Sequence, residues 1–181
     1  VFEREEDARR VLAVLSKRFA RYGLRLHPEK TRLVDFRSPP RRGQDGSQRE
    51  RSFGLLGFTH YWARSLRGYW VVKLKTATDR FSRAVRSIDS WCRANRHITL
   101  REQQQKLNEK LRGHYAYYGV TGNGTALSRF LHEVERRWRK WLMRRNRERT
   151  LNWTWFRRLL QRFPLAPVRT VHSAYRHAVN P

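Results

Sequence analysis

Between Phe81 and Phe163, large apolar residues recur every three or four positions, a spacing that suits packed helices and does not suit strands. Phe81, Val85, Ile88, Trp91 and Cys92 share one face of a first helix, while Arg80, Arg83, Arg86 and Arg93 project largely from the others. Thr99, Leu100, Arg101 and Glu102 match a capping box, in which the Thr and Glu side chains satisfy amides of the first turn. The helix they open carries Leu100, Leu107 and Leu111, and Tyr115, Tyr117 and Tyr118 extend it to Gly119. Thr121, Gly122, Asn123, Gly124 and Thr125 have the composition of a turn. A further helix then directs Leu127, Phe130, Leu131, Val134, Trp138 and Trp141 inward. The last helix runs roughly from Trp153 to Phe163, with Phe156, Leu159, Leu160 and Phe163 on one stripe, and Pro164 ends it. Beyond lies a basic, proline-punctuated tail with Arg169, His172, Arg176 and His177.

The earlier part mixes both periods. Ala8, Val11, Leu12, Leu15, Phe19 and Tyr22 lie at helical spacing, with acids first, basic residues last and Gly23 as a stop. Leu24 and Leu26, then Val34 and Phe36, read as two short strands around a turn at Pro28. Ser38 to Ser52 reads as a surface loop. Phe53 to Trp62 and Tyr69 to Leu74 are aromatic and β-branched runs, expected to pair as a hairpin across Ala63 to Gly68. No repeat at solenoid spacing is apparent, and the expected fold class is α+β.

Charge constrains the partner. The chain carries 41 Lys and Arg against 15 Asp and Glu, a formal +26, with 39% hydrophobic residues to build a core. A folded chain so charged repels itself unless a polyanion screens it, and nucleic acid is the simplest candidate. The first 36 residues hold nine Lys and Arg against six Asp and Glu, a net +3, so +23 lies beyond them and places the binding surface there. No apolar run approaches the ~20 residues of a membrane helix, and the start has no apolar signal segment. The expectation is a cytoplasmic protein with nucleoid association allowed, and the opening at Val1 reads as a piece of a longer chain. Cys92, the one cysteine, excludes an intramolecular disulfide and a cysteine-based zinc cluster, and reads as a small apolar helix residue.

The clearest chemical signal is the run from Arg136 to Arg149. Arg136, Arg137, Arg139, Lys140, Arg144, Arg145, Arg147 and Arg149 crowd one helix that also bears Trp138 and Trp141. Guanidinium forks on a rigid rod suit phosphate contacts, whose release of counterions makes binding salt-dependent. Trp138 and Trp141 could stack on bases, although their spacing favours core. The seven histidines include no pair at the three- or four-residue spacing of a helical metal site. Glu5, Glu6 and Asp7 complement a helix start, and Asp35 stands alone, so no carboxylate pair for two-metal catalysis can be assembled. Gly-rich phosphate loops, nucleophile elbows and cysteine–histidine arrangements are lacking.

The order of these pieces carries more than any one of them. EREEDARRVLAVLSKRFARYGLRLHPEKTRLVDF, FGLLGFTHYW, LRGHYAYYG, the basic helix and NWTWFRRLLQRFPL follow one another over nearly the whole chain. In that order they resemble the bacterial group II intron reverse transcriptases, HPEKT standing for the sixth reverse-transcriptase block and FGLLGF for the seventh.

The resemblance implies a partial palm over residues 1–75 and an all-α thumb, or maturase X domain, over 76–181. It implies RNA-directed DNA synthesis by the complete protein with Mg2+, together with help to intron RNA folding and splicing. Intron RNA and a template–primer duplex are the implied partners, with target DNA as a further one. The catalytic YADD strand would precede Val1, so this part alone is expected to hold no cofactor and to be inactive as a polymerase. Lys30 matches the lysine assigned to the leaving pyrophosphate as a general acid, the plainer alternative being a pairing with phosphate or solvent. Phe53, Leu56, Gly57 and Phe58 match the primer grip, where a glycine permits close backbone approach and equally permits a bulge. Arg80, Arg83 and Arg86, with the later arginines, would contact nucleic acid. Two other classes remain open beside this reading: a basic RNA-binding adaptor without catalysis, and a DNA-binding module.

Overall fold

A computed structural model describes residues 2–29, 31–36, 39, 52–145 and 152–172. Among them the fold is α+β, with five helices and a three-stranded antiparallel sheet in the order β1-β2-β3. The chain divides into two compact units, residues 1–53 with 62–71 and residues 54–61 with 72–181.

The first unit contains α1 (Glu5–Ala20). Glu5, Glu6 and Asp7 face the positive end of its dipole and Lys17 and Arg18 the negative end. Gly23, at φ 68°, terminates it in a Schellman arrangement, with the Leu24 amide donating to Phe19 O at 3.0 Å and the Gly23 amide to Ala20 O at 3.1 Å. Ala8 is buried, whereas Val11, Leu12 and Val14 on this helix stay exposed. The two strands expected over Leu24–His27 and Arg32–Phe36 do not form among the described residues. An extended segment becomes a strand only by pairing. Leu24 and Leu33 are exposed, and Phe36 packs sideways on Phe53 (4.8 Å, edge-on) and Trp62 (5.5 Å, stacked). Most of the expected loop from Ser38 to Ser52 lies outside the described residues.

The aromatic run expected as one strand from Phe53 to Trp62 is two. β1 (Ser52–Leu55) and β2 (Phe58–Arg64) reverse through Leu56 at φ 48° and Gly57 at φ 76°, and β3 (Trp70–Thr76) follows. Positive φ at both central residues is the signature of a two-residue hairpin turn whose twist matches the flanking strands. Sequence reasoning missed it because leucine rarely occupies the first such position.

The second unit is built on α2 (Thr78–Ala94), α3 (Leu100–Tyr118), α4 (Gly124–Arg145) and α5 (Trp153–Arg162). The Thr99 capping box forms in full: Glu102 donates its amide to Thr99 Oγ1, and the Thr99 amide donates to the Glu102 carboxylate at 3.0 Å. Asn152 caps α5 through the Trp155 amide at 2.9 Å. Val85, Ile88 and Cys92 of α2 pack with Leu107, Leu111 and Tyr115 of α3, with Leu127, Phe130, Val134, Trp138 and Trp141 of α4, and with Phe156 and Leu159 of α5. The helical stripes therefore meet as their periodicity requires, and Trp138 and Trp141 are core residues, not base-stacking platforms. Burial in this core pushes the Cys92 thiol up to about 12.

Residues 164–172 dock along α3 and against the residues that follow it. Asn108 accepts the Ala166 amide at 2.6 Å and donates to Pro164 O at 3.2 Å, and Gln104 also donates to Pro164 O. Gly119 O accepts from the Val171 and His172 amides, and Val120 bridges His172 in parallel. Of the expected tail residues, Arg169 and His172 belong to this docked stretch, and Arg176 and His177 lie outside the described residues.

Candidate nucleic-acid interface

Because one stripe of each helix is spent on the core, the opposite faces of α2 and α4 are left to charge. On α2, Arg80, Arg83 and Arg86 are exposed on the side away from Val85, Ile88 and Cys92. Arg80 lies 3.6 Å from the exposed carboxylate of Asp79. A surface pair of this kind holds the side chain only weakly.

On α4, Arg136, Lys140 and Arg144 succeed one another at four-residue spacing, one turn apart on the same face. Arg136 pairs with Glu133 at 2.9 Å, and Arg137 reaches the same carboxylate at 3.3 Å. Lys140 is tied to α2: its ammonium donates to Asp89 Oδ1 at 3.0 Å, and the Trp141 indole N–H donates to the same oxygen at 3.0 Å. Arg137 stands 3.8 Å from it. Partial burial alone would raise Asp89, but the hydrogen bonds from Lys140 and Trp141 and the charges of Lys140 and Arg137 outweigh it and hold the carboxyl below its usual range. Arg144 lies 4.8 Å over the Trp141 ring. Arg139 points elsewhere, 4.2 Å over Trp153, and Arg145 donates to Ile98 O at 3.1 Å. The predicted basic run is thus divided. Arg136 and Arg144 face outward, Arg137 and Lys140 also cross-link helices, and Arg147 and Arg149 lie outside the described residues.

The second predicted cluster is assembled from distant sequence. The Leu56–Gly57 turn rests on the end of α3, where the Tyr117 hydroxyl donates to Leu56 O at 2.9 Å. Phe58 contacts Tyr118 edge-on at 5.3 Å and lies parallel to Tyr117 at 6.1 Å. Its φ favours glycine, and a Cβ on Gly57 would also press on the Tyr118 hydroxyl at 3.1 Å. Phe53 belongs to the other unit, half-buried against Phe36. Lys30 lies outside the described residues.

Sequence reasoning missed the buried polar residues that lock these faces. Gln103 accepts the Trp138 indole N–H at 2.8 Å and donates to Ile98 O at 2.9 Å. Asn123 accepts the Thr76 amide and donates to Thr76 Oγ1 and Tyr118 O, each at 2.9 Å. The signal for Gln103 was present, since it falls four residues before Leu107 on the stripe that continues to Leu111. Asp89 carried no such signal.

Two-metal chemistry requires converging carboxylates. Among the described residues no three His, Cys, Asp or Glu side chains converge, and Asp89, Glu102 and Glu133 are engaged as described above. These residues do not fit a catalytic metal pair. No described helix is long and apolar enough to cross a membrane.

Fold and charge together define a helix-dominated α+β protein whose helical bundle turns arginine-bearing faces outward. Residues 78–161, from the start of α2 into α5, match the family model of the group II intron, maturase-specific domain, and that match supports the C-terminal part of a group II intron maturase over the segment. Such a domain implies a part in group II intron splicing and binding to intron RNA. No curated protein and no solved structure matches the chain.

Proposed function

We propose that the chain binds structured intron RNA through the outward faces of α2 and α4 and thereby assists splicing. The observation that carries this reading is the placement of Arg80, Arg83 and Arg86 opposite the α2 core stripe, together with Arg136 and Arg144 on the open side of α4. Arginines held on rigid helices can follow phosphates without the ordering cost that a disordered basic tail incurs on binding. Lys140, Arg137, Arg139 and Arg145 would act partly in place, since each also holds protein structure. Sequence preference should be weak, because phosphate contacts position a ligand without reading bases.

In the complete protein, residues 1–75 would be the end of a reverse-transcriptase palm and residues 76–181 the thumb, lying along a template–primer duplex, with target DNA a further ligand. The turn at Leu56, Gly57 and Phe58, with Phe53, would serve as the primer grip, and Lys30 would assist the leaving pyrophosphate. Mg2+ would be held by carboxylates outside this chain. The orientation of the Leu56–Gly57 turn by Tyr117 supports this reading over that of a basic RNA-binding adaptor, which has no use for a primer grip.

The test is a salt titration of binding to a structured intron RNA. Arg83→Glu with Arg86→Glu should lower affinity and reduce the slope of log affinity against log salt by about one per lost phosphate contact. The same holds for Arg137, Lys140 and Arg144, but there stability must be measured alongside, because Arg137 and Lys140 also bind Asp89. Equal slopes in the α2 variant and the parent would remove that face from the interface.

A further inference from the structure

The segment from Ser52 to Ala77 contains Arg64, Arg67, Lys73 and Lys75 and no acidic residue. Where β2 passes to β3, the chain reverses through Ser65, Leu66, Arg67 and Gly68, and hydrogen bonds fix the turn. The Ser65 amide donates to Tyr69 O at 2.8 Å and the Gly68 amide to Ser65 O at 3.0 Å. The Tyr69 amide donates to Ser65 Oγ at 3.1 Å. Arg64 clamps it from the side, donating to Gly68 O at 2.6 Å while its guanidinium lies 4.4 Å over the Trp70 ring. A turn so tied needs no apolar side chains at its tip. It nevertheless presents Leu66, fully exposed, and Tyr69, 70% exposed, beside Arg67. Large apolar groups held open on a rigid turn add nothing to the unit's own core and suit a partner that covers them.

We propose that this turn is a subsite for unpaired RNA, in which a base stacks on the Tyr69 ring against Leu66 and Arg67 meets the adjoining phosphate. An aromatic face accepts any base, and the arginine supplies the backbone contact. The lack of acidic residues across the whole segment complements a polyanion. A single strand is favoured over a duplex because paired bases are already stacked and cannot reach the ring. The inference rests on the RNA reading proposed above and adds a contact carried by the other compact unit.

The experiment uses the whole 181-residue chain and two probes, a single-stranded oligoadenylate of about ten nucleotides carrying a fluorescent aminopurine, and an RNA duplex of the same length. Tyr69→Ala should weaken single-strand binding about tenfold and abolish quenching of the aminopurine, with duplex affinity unchanged, while Tyr69→Phe retains both. Arg67→Glu should weaken the single strand without restoring the fluorescence of whatever remains bound. Unchanged single-strand affinity in Tyr69→Ala overturns the proposal, and so does an equal loss for both probes. Displacement of the single strand by polyglutamate from the parent would mark a site lacking RNA selectivity, fitted to an acidic protein, and would also overturn it. The two readings fail separately: loss of duplex binding on charge reversal at Arg83 and Arg86 tests the helical faces, whereas loss of single-strand stacking at Tyr69 tests the turn.

Discussion

The indole N–H of Trp138 donates to the side-chain carbonyl of Gln103 at 2.8 Å, and both residues are buried, at 0% and 2% exposure. This bond joins α4 to α3 in the centre of the helical unit, and the Gln103 amide passes the connection on to the Ile98 carbonyl before α3. Gln103→Leu would leave the buried indole donor without its acceptor and the Ile98 carbonyl with Arg145 alone, at a cost of about 1–3 kcal/mol. Urea unfolding followed by tryptophan fluorescence measures it. A cost below ~0.5 kcal/mol would mean that the network is not needed for stability.

Asp89 gathers Lys140 and the Trp141 indole on one carboxylate oxygen. Asp89→Ala should destabilise by about 1–3 kcal/mol, chiefly because the nearly buried Trp141 donor loses its acceptor. Since the carboxyl lies below its usual range, its contribution is present above the ordinary Asp pKa and disappears as pH falls through the lowered value. Thermal melts of parent and variant should therefore converge in strong acid.

His114 stacks on Phe130 with ring centroids 3.8 Å apart, and its Nε2 is buried with no hydrogen-bond partner among the described residues. Burial lowers its pKa from 6.5 to about 4. Between those values the unfolded chain binds the proton and the folded chain resists it, so stability is full above pH 6.5 and falls as pH drops toward 4. His114→Phe should flatten that part of the stability curve, by roughly 2–3 kcal/mol across the window. Unfolding free energies at a series of pH values decide it.

A Cβ on Gly119 would overlap the Tyr115 carbonyl and come within 2.7 Å of Arg169 O. Gly119→Ala should therefore undock residues 164–172 from the end of α3, at a cost of about 2 kcal/mol or more. Limited proteolysis should then cut near Arg169 in the variant and spare the parent.

Much of the helical half was legible because its signals are local. The Thr99 capping box and the 3.6-residue stripes through Ile88, Leu111, Val134 and Phe156 each act within one or two turns, so reading them requires no knowledge of the neighbours. The exposed arginines of α2 followed from the same stripes by subtraction. The hairpin across Ala63 to Gly68 forms as read, between β2 and β3, and the other strand readings failed for the opposite reason. Leu24 to His27 and Arg32 to Phe36 had the alternation of strands and, among the described residues, no ladder to join, and the Leu56–Gly57 reversal depended on a leucine taking a positive φ beneath the Tyr117 hydroxyl.

The sequence by itself determined the helices, their caps, their inward residues and the excess of cationic side chains, since each depends on contacts a few residues apart. Only the tertiary structure decided which cations stay open. Lys140 and Arg137 share one run with Arg136 and Arg144, yet Asp89, some 50 positions earlier, draws in the first two. The docking of residues 164–172 on Asn108 and Gly119 was decided the same way, because a hydrogen bond between distant segments leaves no period in the sequence that contains it.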